Sequence, residues 1–501
     1  MPQPLPPVRP MPYPRRWCAL AVLLVAEAMN LLDSTIMTVA APVIHADLGG
    51  PASGIQWFSA AYTLPFAVLL ITGGRLGDIA GRKRVFRAGV AAFVLASALC
   101  ALAASPTMLI TARAVQGAAA ALVIPQTIAL IRGMFHGDEL ARAMGSIGPV
   151  MGLAAVCGPV LAGVLTHADL FGSSWRAVFL VNVPLGLGVL AAAPLLREDR
   201  SERRPRLDLT GTVLAVLATG ALVHPLIGSG PERGSPGRWA LFAAGLCLMA
   251  LFGAHQRRRT ARGRSALVET RLFSDRGFPA ALAAAVLFFA VVNGLMLVVV
   301  LQLQLGPHTD VRSAGGLTLL PWSAAMAVAS WTAGARLVPR HGSRVMFAGL
   351  AALLLGTLGA LVVYATGRPA AYPWPLLAAL TAAGLGQGLF SVPFFTTALG
   401  RVRPHETGSA AGLLNAAQQL GGTLGVALLG TVFLDTATGA GAPGAGAALL
   451  GARDACGAAV ALLAGTVVAA VLLHAAARTR PASPQWGRRM RNAKSPSGYG
   501  R

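Results

Sequence analysis

The sequence is poor in charged and in aromatic residues. Charged side chains make up 12% of the 501 residues, whereas a soluble domain carries roughly 25%. Hydrophobic residues make up 55%, and the mean hydropathy is +0.64. Soluble packing cannot bury so much apolar surface at this length, so lipid must cover part of it. The long runs without Lys or Arg match the stretch of about 20 residues that spans a bilayer core.

Several signatures of catalysis and of cofactor binding are absent. The five cysteines include no C-x-x-C pair, so we expect no disulfide and no metal site. No G-x-x-x-x-G-K-[ST] loop occurs, which excludes an ATP-driven pump made of this chain by itself. No H-E-x-x-H and no G-x-S-x-G motif occurs either, which argues against a membrane protease or esterase. The sequence thus predicts neither an enzyme nor a cofactor.

The excess of basic residues has a topological explanation. The net charge is +23, from 41 basic and 18 acidic residues, and in a soluble protein it would suggest nucleic acid. Here the basic residues occupy the short gaps between apolar runs, where membrane topology demands them. No nucleic-acid-binding motif accompanies them. We therefore expect the lipid bilayer as a partner, and no nucleic acid.

The distribution of charge predicts the orientation of the chain. The sequence contains 14 apolar runs, and with the N-terminus in the cytoplasm, 34 of the 41 Lys and Arg residues fall on the inner side. Six fall on the outer side, and Arg113 lies inside a helix. The positive-inside rule predicts this bias. We expect a multi-pass protein of a bacterial cytoplasmic membrane with both termini in the cytoplasm.

An internal repeat predicts two related halves. The pattern Arg75-Leu76, Gly81, Lys83, Phe86 recurs 261 residues later as Arg336-Leu337, Gly342, Arg344, Phe347. Two homologous halves around a central site are a transporter architecture. We predict an all-α membrane protein of 14 transmembrane helices in a 6+2+6 arrangement with two pseudo-symmetric halves. Its parts are a disordered tail (1–16), a six-helix half (17–200), two inserted helices with a cytoplasmic linker (201–276), a second six-helix half (277–477) and a disordered basic tail (478–501). The arginines of the linker are predicted to attract anionic lipid.

A charged motif follows the second predicted helix. Asp78 lies among Arg82, Lys83 and other bases, so a charge-assisted network is natural, and Gly74 and Gly81 permit a tight turn. The motif resembles the cytoplasmic signature of the major facilitator superfamily. The resemblance implies a latch that joins the two halves in one access state. The alternative is a basic loop that only sets topology.

Three further clusters resemble motifs of the 14-helix drug/proton antiporters of the EmrB/QacA type. They are Leu32-Asp33-Ser34-Thr35-Ile36, the Arg113-Ala114-Val115-Gln116-Gly117 segment, and a glycine-rich cluster in the fifth predicted helix (143–166). This third cluster comprises Gly148, Gly152, Gly158, Pro159 and Gly163. The resemblance implies proton transfer at the second cluster and an antiporter signature at the third, for which ordinary small-residue packing is an equal reading.

Depth along the helices selects the same residues independently of the family. At about 1.5 Å per residue, Asp33 and Arg113 lie within about one turn of the same depth, in the outer half of the membrane. Glu27 lies near the midplane. Charges inside a membrane are costly and usually mark transport paths or proton relays. The alternative is a structural Asp33–Arg113 pair that only locks helices.

The sequence therefore predicts a proton-coupled antiporter that exports small lipophilic organic compounds by alternating access. The proton gradient is the energy source, and we expect a monomer. The alternatives are a dedicated exporter of one endogenous metabolite, a proton-coupled uptake transporter, and a membrane enzyme or scaffold. The family geometry implies a cavity lined by the first, fourth, ninth and twelfth of the predicted helices. Candidate cavity residues are Asn30, Gln116, Gln126, Asn293, Met296, Gln387, Phe390 and Phe394.

Overall fold

The structure is a computed structural model that describes most of the chain. The described residues are 13–167, 174–199, 207–227, 235–264, 266–274, 276–305, 318–368, 372–400, 402, 407–439 and 444–478. These residues form helices and connecting turns, with no strand among them. The predicted disordered tails fall almost entirely outside the described ranges, except for residues 13–16 and 478.

Seventeen α-helices occur in the described ranges. The first group is α1 (Arg16–Leu48), α2 (Gly54–Ala80), α3 (Arg82–Ala101), α4 (Pro106–Met134), α5 (Gly137–Gly145), α6 (Ile147–His167), α7 (Ala177–Leu180) and α8 (Asn182–Ala192). The two helices that the sequence predicts to be inserted, called the inserted pair below, are α9 (Leu209–Val223) and α10 (Pro236–Ala261). The second group is α11 (Gly277–Leu305), α12 (Thr318–Thr332), α13 (Val338–His341), α14 (Arg344–Thr366), α15 (Leu376–Leu399), α16 (Thr407–Gly439) and α17 (Ala445–Arg478).

Thirteen helical segments of the described chain are long and apolar enough to cross a membrane. One further helical stretch joins α12 to α13 through a π-helical segment, Ala333–Leu337. Pro339 lacks the N–H that would continue the α-helical pattern there, which favours such an irregularity. The multi-pass, all-helical fold is confirmed, whereas the 14-helix, 6+2+6 count stays a prediction.

The internal repeat places a glycine of positive φ between two helices in both copies. Gly81 separates α2 from α3 with φ of 104°, and Gly342 separates α13 from α14 with φ of 59°. Positive φ values are readily adopted only by glycine. At both positions the repeat therefore places a glycine where the chain passes from one helix to the next with positive φ, although the ψ angles differ, at 128° for Gly81 and −138° for Gly342.

Each group packs mainly on itself. In the first group α2 and α3 pack on α4, and α1 packs on α6; in the second, α11 packs on α16 and α17, and α15 packs on α12 and α14. Glycines allow the closest approaches, since a Cβ at Gly117 would lie 2.0 Å from the Tyr62 carbonyl oxygen, and one at Gly73 would lie 2.1 Å from that of Ala121. The inserted α10 packs chiefly on α9 and is otherwise largely exposed.

The two groups meet most closely at one end of the bundle. We call the end where α1 begins and α17 ends the termini end, and the other the opposite end. At the opposite end the start of α2 packs on the last turns of α16, and the Gln304 amide donates to the Val39 carbonyl oxygen at 3.3 Å. The termini end contains the cavity described next.

Candidate functional site: a cavity and a buried ion pair

A cavity of about 870 Å³ lies between the two groups at the termini end. This volume is within the range of small-molecule sites. Its inner wall is apolar and includes Leu70, Ile71, Ile124, Pro125, Ile128 and Leu399. Its mouth is charged, with Arg75, Arg82, Arg132, Asp78, Asp199 and Glu269. The one uncharged polar side chain among the lining residues is Asn415 on α16.

The helices that line this cavity differ from those expected. The expectation was for α1, α4, α11 and α15, which are the first, fourth, ninth and twelfth predicted helices. Most of the wall comes from α2, α4 and α16, with Leu399 at the end of α15; α1 and α11 contribute none of the lining residues. The reason is geometric, because the groups separate along the seam between α2 and α16, whereas α1 and α11 remain buried.

The predicted cavity residues lie away from this wall. Phe390 stacks between Phe288, at 3.8 Å between ring centroids, and Phe394, at 5.1 Å. Gln387 accepts a hydrogen bond from the Trp322 indole at 2.6 Å. The other candidates are Asn30, Gln116, Gln126, Asn293 and Met296, and none of the eight lines the cavity. That these residues contact cargo stays a prediction. Such contact would require a different access state.

Two of these polar side chains instead join helices. The Gln126 amide donates to the Gly73 carbonyl oxygen at 2.8 Å and fills the space that Gly77 leaves on α2. Asn293 on α11 donates to the Phe289 carbonyl oxygen at 3.0 Å and lies against Gly422 of α16. Hydrogen bonds between helices and to helix backbone are a usual contact in membranes, where water is absent.

A fully buried ion pair lies at the centre of the first group. Arg113 Nη1 donates to Asp33 Oδ2 at 2.5 Å, and both side chains are 1% exposed. The amides of Gln116 and Asn182 both donate to Asp33 Oδ1, at 2.9 and 2.8 Å. Sequence depth placed Asp33 and Arg113 together. The role of Asn182 needed the packing of α8 against α1, which the sequence alone does not specify.

The network extends to two further helices, through Arg113 to α2 and through Gln116 to α3. Its Nε donates to the Phe58 carbonyl oxygen at 3.1 Å, and its guanidinium lies 4.3 Å from the Tyr62 ring centroid. The Gln116 amide also donates to the Ser97 hydroxyl at 2.8 Å. The network thus spans α1, α2, α3, α4 and α8. Protonation of Asp33 would weaken its bonds to three donors at once, so it would loosen the contacts of α1 with α4 and α8.

Glu27 lies apart from this network. It is 5% exposed and about 9 Å closer to the termini end than Asp33, at 1.5 Å per residue. Its carboxyl lies near the Thr127 hydroxyl of α4. Ile124 and Ile128 on the same helix line the cavity, so Glu27 is close to the depth of the cavity floor.

The charged motif after α2 binds within its own half. Asp78 Oδ1 accepts from Arg82 Nη2 at 3.0 Å, and Arg82 also pairs with Asp199 beyond α8. Lys83 Nζ donates to the Leu196 carbonyl oxygen at 2.7 Å. Asp78 also lines the cavity mouth. In this state the motif therefore stabilises the first group, and Asp78 faces the space across which the second group would close.

Asp78→Asn should reduce transport at least tenfold while leaving the protein folded. The Asp78–Arg82 pair is partly exposed, and such pairs contribute about 1 kcal/mol or less to stability. A latch would instead need the charge when the halves close. Initial transport rates of purified protein in liposomes measure the effect. The matched control is Glu139→Gln, which breaks the similarly exposed Arg16–Glu139 pair at the same end and should keep its rate. Equal rates for Asp78→Asn and the parent would leave the motif a topology signal.

The glycines of α6 allow close contact with neighbouring helices. A Cβ at Gly158 would lie 1.9 Å from the Thr35 hydroxyl of α1, and one at Gly152 would lie 3.6 Å from the Ala327 methyl of α12. Gly163 and Pro159 are buried, whereas Gly148 has open space around it. The structure thus shows small-residue packing at Gly158. The antiporter role of the motif stays a prediction.

Polar contacts join the halves at the opposite end, and no sequence motif predicts them. Gln56 of α2 is fully buried and donates to Thr431 Oγ1 of α16 at 3.1 Å, with the carbonyl oxygens of Val426 and Ala427 at 3.4 and 3.3 Å. Thr63 and Thr423 share a hydrogen bond of 2.5 Å between their hydroxyls. The structure is therefore open at the termini end and joined at the opposite end.

Comparison with known proteins identifies the family. The Major Facilitator Superfamily model matches residues 23–426. The chain is 46% identical to the probable actinorhodin transporter of Streptomyces coelicolor, over 85% of this chain and 73% of that protein. It is 36% identical to the puromycin resistance protein pur8 of Streptomyces alboniger, over 84% and 82% of the two chains.

A solved structure supports the same fold. A bacterial homolog of the human lysosomal transporter Spinster, in an inward-facing and unoccupied conformation, superposes with a TM-score of 0.63. The match has 18% identity and covers 93% of this chain and 98% of the other. The chain thus belongs to the major facilitator superfamily, and it is a membrane transporter, not an enzyme.

Proposed function

We propose that the chain exports small lipophilic organic compounds of the antibiotic class in exchange for protons. The observation that supports this proposal best is the pairing of a cavity, open at one end only, with a buried Asp33–Arg113 pair in the same half. The cavity supplies a cargo site with access to one side. The ion pair supplies a titratable group within the membrane, where such groups usually serve transport.

The chemistry of the cavity supports a lipophilic cargo. Most of its lining residues are apolar or glycine, and its charged residues lie near the mouth, where positive and negative side chains are mixed. Such a wall would favour a molecule with a large apolar body, since burial of apolar surface provides most of the binding free energy. The relatives named for actinorhodin and puromycin support the same class.

The proton gradient can supply the free energy that export requires. One proton carries roughly 2.3 kcal/mol at 100 mV, and each pH unit adds about 1.4 kcal/mol. Together they could sustain a cargo gradient of a few hundred-fold. Asp33 is the coupling residue in this proposal, and Glu27 is its rival.

We infer that the termini end faces the cytoplasm of a bacterial cell. The charge distribution supports this orientation, and export then loads the cavity from the cytoplasm.

A periplasm-dependent reporter fused after Ser235 should give signal, whereas fusions after Arg262 and at the C-terminus should give none. The measurement is reporter activity per unit of fusion protein in membranes. Signal from the C-terminal fusion would contradict the even number of helices.

Dedicated export of one compound is the second candidate function. It is favoured by the names of the two relatives, each of which refers to one antibiotic. Expression in a drug-sensitive bacterium, tested against a panel that includes puromycin and actinorhodin, separates the candidates. Protection against many unrelated compounds supports multidrug export, and protection against one supports the dedicated exporter. Protection against none, with protein present in the membrane, would contradict both.

A further inference from the structure

A buried carboxylate at the start of the inserted pair accepts hydrogen bonds from both inserted helices. Asp208 caps α9 by accepting from the Gly211 N–H at 3.0 Å. The Gln256 amide donates to it at 2.9 Å, and His255 Nε2 and Arg259 Nη1 of α10 lie 3.0 and 3.3 Å away. We call these five residues the hub. The Asp208 side chain is fully buried, so the hub fixes how α9 and α10 pack.

The hub is charged and tightly packed. Burial raises the pKa of the Asp208 carboxyl, but hydrogen bonds from His255, Gly211 and Gln256 and the charge of Arg259 outweigh burial and lower it below its ordinary value. Asp208 is therefore ionised at neutral pH. A Cβ at position 211 would lie 2.3 Å from Asp208 Oδ2, so only glycine fits beside the carboxylate.

The segment after α10 is held against this hub and against the cavity mouth. Residues 266–274, which we call the strap, bury the side chains of Leu267, Val268 and Leu272. The Val268 N–H donates to the Gln256 side-chain oxygen at 3.3 Å. The Ala266 carbonyl oxygen accepts from Arg75 of α2. Lipid attraction, which the sequence suggested for this linker, does not explain a buried and hydrogen-bonded strap.

The strap contacts both halves of the transporter. On one side, the Ala266 carbonyl oxygen of the strap accepts from Arg75 of α2. On the other side, the Phe273 ring of the strap lies edge-on to the Phe278 ring of α11, with 6.2 Å between the ring centroids. Glu269 of the strap lines the cavity mouth. Any closure of this mouth must therefore move the strap relative to one half.

We propose that Asp208 is a positioning residue for transport, which holds the strap at the cavity mouth through Gln256 and so fixes the geometry of that mouth in the open state. The inserted pair is then part of the transport machinery and not only a lipid-facing addition. The proposal rests on the proposed function only in assuming that the mouth opens and closes during transport.

The test measures the strap directly. In a background without the five native cysteines, Val268→Cys places a thiol at a position that is 8% exposed. Asp208→Asn should increase its rate of labelling by a soluble maleimide by about tenfold, because local opening needs fewer bonds to break. Arg258→Gln removes an exposed charge beside the hub and should leave the rate unchanged. Labelling needs neither cargo nor a proton gradient, so its outcome is independent of the export proposal.

Two further measurements keep the proposal open to contradiction. Arg75→Ala releases the strap at Ala266 and should also accelerate labelling of Val268→Cys. This variant tests the strap even if Asp208→Asn does not fold. In the double variant the acceleration should exceed that of either single variant, because opening of the strap then breaks neither contact. Unchanged labelling in both single variants overturns the proposal. The proposal is also overturned if Asp208→Asn is labelled faster but transports cargo at the same rate as Arg258→Gln.

Discussion

Asp33→Asn should abolish uphill export. The variant cannot take up a proton at this position. In the parent protein the amides of Gln116 and Asn182 donate to the Asp33 carboxylate, whereas in the variant they would face the amide of Asn. Proton release upon cargo addition, reported by a pH-sensitive dye inside proteoliposomes, should fall to the level of empty liposomes. Downhill exchange of cargo should persist, because the cavity lies at a separate site. Proton movement that persists in Asp33→Asn but is lost in Glu27→Gln would assign coupling to Glu27.

A second variant separates coupling from helix locking. Removing one member of a buried ion pair costs about 3–5 kcal/mol, whereas replacing both members by apolar residues of similar volume is often neutral. Asp33→Leu combined with Arg113→Met should therefore remain folded, as judged by its thermal unfolding temperature, and should still fail to export uphill. If the double variant exports like the parent, the pair only locks helices.

Gln56→Leu should shift the protein towards a state open at the opposite end. The substitution removes the side-chain hydrogen bond to Thr431 and the contacts to two carbonyl oxygens of α16. A net loss of about 1–1.5 kcal/mol changes the ratio of two states by roughly tenfold. Ala60→Cys, which is fully buried in the seam between α2 and α16, should then be labelled about tenfold faster from that side.

Related variants at the seam define the specificity of this effect. Thr63→Val removes the hydrogen bond to Thr423 and should act in the same direction. Thr357→Val is the control, since this buried threonine bonds only to Leu353 of its own helix. Equal labelling in Gln56→Leu and Thr357→Val would show that the seam does not hold the opposite end closed.

The sequence predicts features that depend on one helix at a time. Hydropathy indicates the spans, and the structure has 13 helical segments that are long and apolar enough to cross a membrane. The motif around Gly81 predicts a tight turn, and Gly81 separates two helices with a φ of 104°. Counting residues from the membrane faces placed Asp33 and Arg113 at one depth, and the structure brings their side chains into contact. In each case a distance along the chain fixes the relevant coordinate.

Features that depend on helix rotation and on access state were not predictable. Gln56 is one polar residue in an apolar run, and only the packing of α2 on α16 shows that it joins the two halves. Asp208 reads as a helix cap, and its contacts with α10 depend on how the inserted pair packs. Gln387 and Phe390 were expected at the cavity, but in this state they bind Trp322 and Phe288.

Transport driven by an imposed pH gradient would show whether export is coupled to protons. Purified protein is reconstituted into proteoliposomes with puromycin or actinorhodin as the probe, and an outward or inward pH gradient is imposed in the absence of ATP. We expect the probe to accumulate on the side of higher proton concentration and a protonophore to dissipate the accumulation. We expect no accumulation with Asp33→Asn. Accumulation that is independent of the pH gradient, or that survives in Asp33→Asn, would contradict the account.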